Sequence, residues 1–356
     1  MRSKSLTAVS CAALAGVLAI PASAHGAGRS TSTSATDDAV MSIAVSFPVQ
    51  NTNHTSVACV SDGGNYMIRG HIVATRAALA HPEAATLYLH AVTQGEFYWN
   101  FKGVPGYDYA DQQARKGHIS VTIDRLGYGA SDKPPGLGSC FGSQADTAHQ
   151  VVQALRNGKY SSDAASPAFR KVFLAGHSAG GLTATIEAYT FHDIDGLIDF
   201  GWADQTTAAF AAEEVSDTEK RCAESAAGLY STPGAPANYT PFGDGAAGIL
   251  FSSASQAVRA AVPRESDPCG DLLSFGDGIT ADYTGVSQTT VPVLIIAGAT
   301  DELFPPPALR IQAERYTSSS KVTYKEMPDT GHGFGYEASH LQTVDVVDQW
   351  LHELGG

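Results

Sequence analysis

Positive charge is scarce in this sequence. Its 356 residues include 22 lysines and arginines against 36 aspartates and glutamates, which gives a formal net charge of -14. Phosphates and anionic lipids repel so acidic a chain, so we expect neither nucleic-acid binding nor a stable membrane anchor. Charged residues make up only 16% of the chain and hydrophobic residues 43%. This balance is typical of a globular protein with a large core, not of a disordered one.

Two motifs of cofactor- and metal-binding proteins are missing. The glycine-rich stretch 124–131 lacks the G-x-G-x-x-G pattern and does not open directly onto a helix, which excludes a dinucleotide site there. No two cysteines have the C-x₂-C spacing of metal sites, so we expect no metal.

The first 24 residues have the pattern of a secretory signal peptide. A short basic region precedes an apolar run at 6–20, and Pro-Ala-Ser-Ala at 21–24 ends in an A-x-A cleavage pattern. The apolar run is too short for a comfortable membrane span. We expect cleavage after Ala24 and an extracellular mature protein. Cys11 would fit a lipoprotein instead, but it lies inside the apolar run with too little sequence ahead of it.

Cysteine is rare, with five in the chain, and four would remain after cleavage. Exported proteins usually hold cysteines in disulfides, and four cysteines allow three pairings. We favour a bond between Cys222 and Cys269, because both fall in the inserted segment described below. That choice leaves Cys59 to pair with Cys140.

The rest of the chain predicts an α/β protein. Residues 25–40 are rich in small and polar residues and are expected to be a disordered N-terminus, ahead of one domain at 41–356. Strands at 41–50 and 66–74 look like an antiparallel start to a sheet. Apolar runs then alternate with helical spacing, which predicts a mostly parallel sheet with helices on both faces. These runs are 86–90, 118–123, 171–175, 194–200 and 291–298.

The alternation of strands and helices is interrupted between about 204 and 288. This segment is rich in Ala, Gly, Ser and Pro, with helical pieces such as 207–228 and 246–261. We interpret it as a helical cap inserted over the carboxyl edge of the sheet. The alternative is that this segment is an irregular, loosely packed surface loop.

A Gly-His-Ser-Ala-Gly motif at 176–180 is the strongest chemical signal. It follows the apolar run 171–175 and precedes a helical run at 181–189. Strand, Gly-x-Ser-x-Gly and helix together are typical of a nucleophile elbow, in which a tight turn lifts the serine above the sheet. Ser178 is therefore the candidate nucleophile, although a serine between small residues is by itself an ordinary turn.

A histidine base and a carboxylate follow in the order that such a site needs. Asp301 comes just after the strand at 291–298, and His332 lies in a glycine-lined loop after the next strand. Because the carboxyl ends of parallel strands share one edge of a sheet, both should lie beside Ser178. Asp204 is the rival carboxylate, and Asp301 could instead be a surface helix cap. The other histidines weighed and set aside are His177, His192 and His340.

The developing oxyanion needs backbone donors, for which we expect the amides of Ala179 and Val92. Val92 lies in the loop that follows the strand ending at His90. Phe97 and Trp99, with Trp202 further on, are candidates for an apolar substrate pocket. Plain core packing is the alternative for each of them.

With the 176–180 motif, the loop at His90, the stretch 124–131, Asp301 and His332, the chain resembles secreted serine hydrolases of the α/β-hydrolase fold superfamily. The resemblance covers roughly 65–203 and 290–353. It implies an acyl-enzyme on Ser178, with His332 as base and then acid, Asp301 as its orienting partner and no cofactor. One departure is Ala91, where the family usually has glycine after the histidine.

The resemblance implies an extracellular esterase or lipase acting on small or lipid-like esters. The same fold carries lactonases, thioesterases and peptidases, and a serine peptidase is the main alternative. Epoxide hydrolases and haloalkane dehalogenases are disfavoured, because they have aspartate where Ser178 stands. A non-catalytic ligand-binding protein is the alternative of another class, but such proteins usually lack a member of the triad.

Overall fold

The structure, a computed structural model, describes residues 39–205, 209–243 and 250–356, without the side chains of 209–212. The predicted signal peptide at 1–24 and most of the expected disordered N-terminus lie outside these residues. Val40 already belongs to the first strand, so the sheet begins one residue before the expected boundary at 41.

Nine strands of the described chain form one sheet in the order β11-β10-β7-β6-β3-β4-β2-β1-β5, and β8 pairs with β9 separately. The strands are β1 (Val40–Gln50), β2 (Asn65–Thr75), β3 (Ala84–Leu89), β4 (Ser120–Asp124), β5 (Ser161–Ser162), β6 (Lys171–His177), β7 (Gly196–Phe200), β8 (Tyr239–Thr240), β9 (Asp267–Pro268), β10 (Val293–Gly298) and β11 (Val322–Met327).

Every neighbouring pair from β4 to β11 in this order is parallel. The pairs that involve β1 and β2 are antiparallel. The mostly parallel sheet with an antiparallel start, predicted from the sequence, is therefore confirmed.

Ten α-helices lie in the described residues. They are α1 (Arg76–Ala80), α2 (Tyr109–Arg115), α3 (Phe141–Asn157), α4 (Ala179–Phe191), α5 (Ala209–Ala226), α6 (Gln256–Ala261), α7 (Cys269–Leu273), α8 (Phe275–Gly285), α9 (Pro306–Arg315) and α10 (His340–Glu353). No helix of the described chain is long and apolar enough to cross a lipid bilayer.

The core lies on both faces of the sheet, as strand β6 shows. Val172 and Leu174 belong to one apolar cluster, with residues of α3, α4 and α9. Phe173 and Ala175 belong to another cluster, with residues of α2 and α10. Because successive side chains of a strand point to opposite faces, a central strand covered on both sides must be apolar throughout. This explains the apolar runs in the sequence.

The insertion at about 204–288 contributes no strand to the main sheet in its described residues. It contains the short β8–β9 pair and the helices from α5 to α8. A disulfide between Cys222 and Cys269 ties α5 to α7. A second one joins Cys59, after β1, to Cys140, at the start of α3. This is the pairing that the sequence analysis favoured.

Candidate active site

Ser178 occupies a sharp turn between β6 and α4. Its φ of 52° and ψ of -119° are strained for a residue with a side chain. A Cβ on Gly176 would lie 2.1 Å from the carbonyl oxygen of Gly180, and a Cβ on Gly180 would lie 2.4 Å from that of Leu89. Only glycine fits at these two positions, so the tightness of the turn explains the motif. The Ser178 amide donates to the Phe200 carbonyl at 3.0 Å.

Asp301 and His332 form a buried pair. Asp301 follows β10 and His332 follows β11, and His332 Nδ1 lies 2.8 Å from Asp301 Oδ2. The other carboxylate oxygen accepts the amides of Leu303 and Phe304 at 2.8 and 3.0 Å. A carboxylate at Nδ1 requires the proton there, which leaves the lone pair on Nε2. His332 Nε2 has no hydrogen-bond partner in the described chain.

Ser178 and His332 line the same cavity, as do Val92 and Ala179. These four residues and Asp301 lie in the segments that follow β3, β6, β10 and β11 and are called the rim below. The sequence placed them at the carboxyl ends of four parallel strands, and the structure brings them to one edge of the sheet.

The rival carboxylate, Asp204, is engaged elsewhere. Its side chain accepts a hydrogen bond from Arg315 of α9, and its amide donates to Gln312 Oε1 at 3.2 Å. Asp204 therefore has a structural partner, whereas Asp301 has the histidine.

Another histidine, His177, packs beneath the site. Its Nε2 lies 2.8 Å from the carbonyl oxygen of His332, and its ring stacks on Tyr98 with 4.2 Å between centroids. Burial lowers the pKa of His177 well below its usual value, and the neighbouring His332 lowers it further. A neutral His177 can donate from Nε2 and so position the His332 loop.

The loop after β3 leaves one amide free beside the cavity. The Ala91 amide donates to Gln94 Oε1 at 3.1 Å, and the Thr93 amide donates to Asp267 Oδ1 at 2.7 Å. The Val92 amide, between them, has no hydrogen-bond partner among the described residues. A free N–H at a cavity wall is available to a ligand oxygen.

Arg125 and His90 hold that loop from below. His90 Nδ1 lies 2.8 Å from the Ala91 carbonyl oxygen, and His90 Nε2 accepts the Arg125 amide at 3.0 Å. Burial, followed by the charge of Arg125, lowers the pKa of His90 well below its usual value, so the ring is neutral. The guanidinium of Arg125 donates to the His90 carbonyl oxygen at 3.0 Å and lies 3.7 Å from Asp271 of the insertion. These contacts hold the loop after β3 in place, although it has alanine at position 91 where the family usually has glycine.

The cavity has a volume of about 260 Å³ and a mostly apolar wall. Apart from the rim and its neighbours in the β3 loop, the lining residues come from the insertion and from the segment after Asp301. They are Val215, Glu219, Phe242, Leu250, Arg264, Phe275, Gly276, Ile279, Leu303 and Phe304.

The three aromatic residues expected to line the pocket do not line it. Trp99 is buried in the core against Tyr88, with 4.9 Å between ring centroids. Phe97 lies in the 3₁₀ turn Glu96–Tyr98, directly before Trp99, and does not line the cavity. Trp202 lies one layer behind the wall, packed on Phe304, and donates from Nε1 to Asp282 Oδ2 at 2.8 Å. The pocket prediction is corrected accordingly.

Two features of the sequence could have predicted the residues that line the cavity. Phe275 and Ile279 are four residues apart, a spacing that places both on one face of a helix, here α8. Leu303 and Phe304 directly follow the candidate acid Asp301 and share its loop. An apolar pair beside a rim residue is a better pocket candidate than an aromatic pair further along the chain.

Comparisons with known proteins agree with this architecture. Residues 87–348 match the model of the alpha/beta hydrolase family. A comparison with curated proteins finds no match. Several solved structures are similar at low sequence identity, which shows a shared fold.

One is a thermophilic esterase from Thermogutta terrifontis, with 16% identity, a TM-score of 0.58 and coverage of 86% of this chain and 98% of that one. A soluble variant of monoglyceride lipase from Saccharomyces cerevisiae has 16% identity and a TM-score of 0.59, and the match covers 87% of this chain and 97% of that one. A monoacylglycerol lipase from Paleococcus ferrophilus has 16% identity and a TM-score of 0.56, and the match covers 77% of this chain and 97% of that one. With the family model matching most of its length, the chain belongs to the alpha/beta hydrolase family.

Proposed function

We propose that the protein is a serine hydrolase that cleaves carboxylic esters. One observation carries the proposal: the strained Ser178 lines the same apolar cavity as His332, whose Nδ1 is held by Asp301 at 2.8 Å. The Nε2 atom of His332 has no hydrogen-bond partner in the described chain, so its lone pair is available as a base. The esterase and lipase structures of the same fold support the choice of reaction.

The reaction would proceed in two halves. His332 Nε2 takes the proton of the Ser178 hydroxyl as its oxygen bonds to the acyl carbon. The amides of Val92 and Ala179 then stabilise the oxyanion. When the bond to the alcohol breaks, His332 gives its proton to the leaving oxygen. A water molecule next attacks the acyl-enzyme with His332 again as base, and releases the acid.

The wall of the cavity favours a compact apolar acyl group. Most of its lining side chains are aliphatic or aromatic, and its volume of about 260 Å³ is slightly below that of typical ligand pockets. We propose small esters, or lipid-like esters that place only part of the chain inside, as substrates.

A serine peptidase is the second candidate, because Glu219 lies in the cavity wall. Its half-buried carboxylate could bind the amine of an aminoacyl substrate. Arg264 lies in the same wall, but its guanidinium donates to the carbonyl oxygens of Phe242 and Gly243. No comparable observation favours a lactonase or a thioesterase.

The test compares Ser178→Ala with the wild-type protein. Both are assayed on p-nitrophenyl esters of increasing acyl length and on aminoacyl anilides, and Ser318→Ala, at an exposed serine, is the matched control. We expect Ser178→Ala to lose about 10⁴-fold or more in kcat on esters and Ser318→Ala to be unchanged. Ester turnover that survives in Ser178→Ala would refute the mechanism, and turnover of anilides alone would favour the peptidase.

We also propose that the protein is exported. The N-terminal pattern and two disulfides are compatible with an oxidising compartment. N-terminal sequencing of the protein recovered outside the expressing cells should give His25 as the first residue. Recovery only inside the cells, with Met1 retained, would contradict this proposal.

A further inference from the structure

Away from the active site, one imidazole and two carboxylates meet at the end of α4. His149 lies on α3, Glu187 on α4, and Asp193 in the turn that leads to β7. One ligand atom from each lies within 4.8 Å of the other two. His149 Nδ1 is 2.8 Å from Asp193 Oδ2. The proposed ester hydrolysis uses none of these side chains.

Glu187 is the unusual member of this cluster. Its side chain is 0% exposed, and neither carboxylate oxygen has a hydrogen-bond donor in the described chain. Its charged neighbours are the carboxylate of Asp193, which is also an acceptor, and the guanidinium of Arg156, which donates no hydrogen bond to it. A buried carboxylate without a partner is strongly unfavourable. Two carboxylates in this position require a cation between them, which can be a proton or a metal ion.

The surroundings of the cluster suit a metal ion. The His149 ring stacks on Phe191 with 4.0 Å between centroids, which fixes the direction of Nδ1. Asp193 is held in turn, since Gln153 donates to its Oδ2 at 2.5 Å and Arg156 donates to its carbonyl oxygen at 2.8 Å. Outer hydrogen bonds of this kind orient metal ligands. The side chains of His149 and Asp193 are 26% and 15% exposed, so an ion can enter from solvent.

We propose that His149, Glu187 and Asp193 bind one zinc ion (Zn²⁺). One imidazole nitrogen with two carboxylate oxygens suits zinc better than magnesium or calcium, which prefer oxygen ligands throughout. With bonds of about 2.0–2.1 Å, tetrahedral ligands lie about 3.3 Å apart. The distance of 2.8 Å between His149 and Asp193 therefore needs only a small opening. A water molecule from the exposed side would fill the fourth position.

Zinc bound there would have a structural role. Without a metal ion, a proton shared between the adjacent carboxylates of Glu187 and Asp193 is the cation that this position requires. Zinc would displace that proton and join α3 to the end of α4, the helix that begins at the Ser178 turn.

A second cluster in the described chain provides an internal control. The Nε2 atoms of His118 and His352 lie 2.9 and 3.2 Å from Asp348 Oδ1. The ammonium of Lys116 is 3.5 Å from Asp348 Oδ2 and already supplies positive charge. No side-chain nitrogen or oxygen of these residues is both buried and without a partner. We therefore expect zinc to prefer the cluster around Glu187.

The test is a calorimetric titration of the EDTA-treated, dialysed protein with zinc chloride at pH 7. We expect one equivalent to bind. Glu187→Gln, which is nearly isosteric, and His149→Ala should each weaken binding by about tenfold or more. His352→Ala should bind as the wild-type protein does. Circular dichroism checks that each variant is folded, and the absorption spectrum of a cobalt-substituted sample gives a second readout.

Three results would overturn the proposal. If the wild-type protein binds no zinc, Glu187 and Asp193 share a proton instead. If Glu187→Gln and His149→Ala bind as tightly as the wild type, the metal lies elsewhere, and loss confined to His352→Ala would locate it in the second cluster. Binding of calcium or magnesium in preference to zinc would contradict the assigned ion.

Discussion

The rim and the insertion build the two halves of one cavity by different means. The rim is built on the parallel sheet: Ser178 directly follows β6 and its amide donates to the Phe200 carbonyl oxygen of β7, and His332 lies in the loop after β11. The insertion is held by a disulfide between Cys222 and Cys269 and by buried polar contacts such as that of Asp267 with the Thr93 amide. The rim carries the candidate chemistry, and the insertion supplies much of the wall. We therefore expect changes at the rim to alter the rate for every substrate, and changes in the insertion to alter the choice among substrates.

The largest effect should follow from Asp301→Asn. An amide in place of the carboxylate can donate to His332 Nδ1 and stabilise the wrong tautomer, and it cannot stabilise the imidazolium. We expect kcat to fall by about 10⁴-fold on p-nitrophenyl esters of all acyl lengths, with little change in the ranking of those esters.

Asp204→Asn is the control for that variant. Asp204 is buried and bonded to Arg315, so its change should lower the melting temperature while leaving kcat close to that of the wild type. Loss of activity in Asp204→Asn with retention in Asp301→Asn would show that the acid has been assigned to the wrong residue.

The contrast between rim and insertion also decided what the sequence could predict. The sheet was predictable because its buried strands must be apolar on both faces, as in Val172 to Ala175. The positions of Ser178 and Asp301 followed, since each lies just past such a strand. His332 follows the edge strand β11, which is largely exposed, and was placed by its glycine-lined loop after that last strand. The order serine, aspartate, histidine along the chain then left few possible assignments of the nucleophile, the acid and the base.

The wall of the cavity was not predictable in the same way. An aromatic side chain can pack equally well in the core or in the wall of a cavity. The residue type of Trp99 therefore does not predict which of the two it occupies. Helix α8 lies inside the predicted helical cap but was not singled out there, and its glycines disfavour helix. One of them, Gly278, allows a close approach to α4, where an added Cβ would lie 3.1 Å from Leu182. Tertiary packing, which a single sequence does not display, determines this part of the protein.

A smaller effect, on substrate choice, should follow from Phe275→Ala in the insertion. Removing the ring enlarges the cavity without touching the rim. Longer acyl chains should gain relative to short ones, by about tenfold in the ratio of their kcat/KM values, which is the usual size of such discrimination. Kinetics across a series of acyl lengths measures the ratio, with Leu273→Ala, at an exposed residue of the neighbouring helix α7, as the control. An equal loss on all chain lengths would contradict the division of roles between rim and insertion.

The smallest effect concerns stability at the contact between the insertion and Trp202, which lies behind the cavity wall, and it should depend on pH. Asp282 of α8 is buried against Trp202, and burial raises its pKa to about 7. Between about pH 4 and pH 7 the folded protein keeps a proton that the unfolded chain has lost, so the contribution of Asp282 to stability falls as pH rises through this window. Asp282→Asn removes this contribution, because the amide does not titrate. The stability of Asp282→Asn relative to the wild type should therefore increase from pH 5 to pH 7, by at most about 1.4 kcal/mol per pH unit, and stay constant above.

Taking the difference between the two proteins removes the opposing titration of buried histidines such as His90, whose pKa is lowered. Denaturant unfolding at intervals of half a pH unit measures this difference, and Asp277→Asn, at an exposed position of the same helix, is the matched control. A difference that does not change between pH 5 and pH 7 would mean that Asp282 is already ionised in the folded protein. The insertion would then hold a buried charge, and the contact of Asp282 with Trp202 would be a charged hydrogen bond instead of a neutral one.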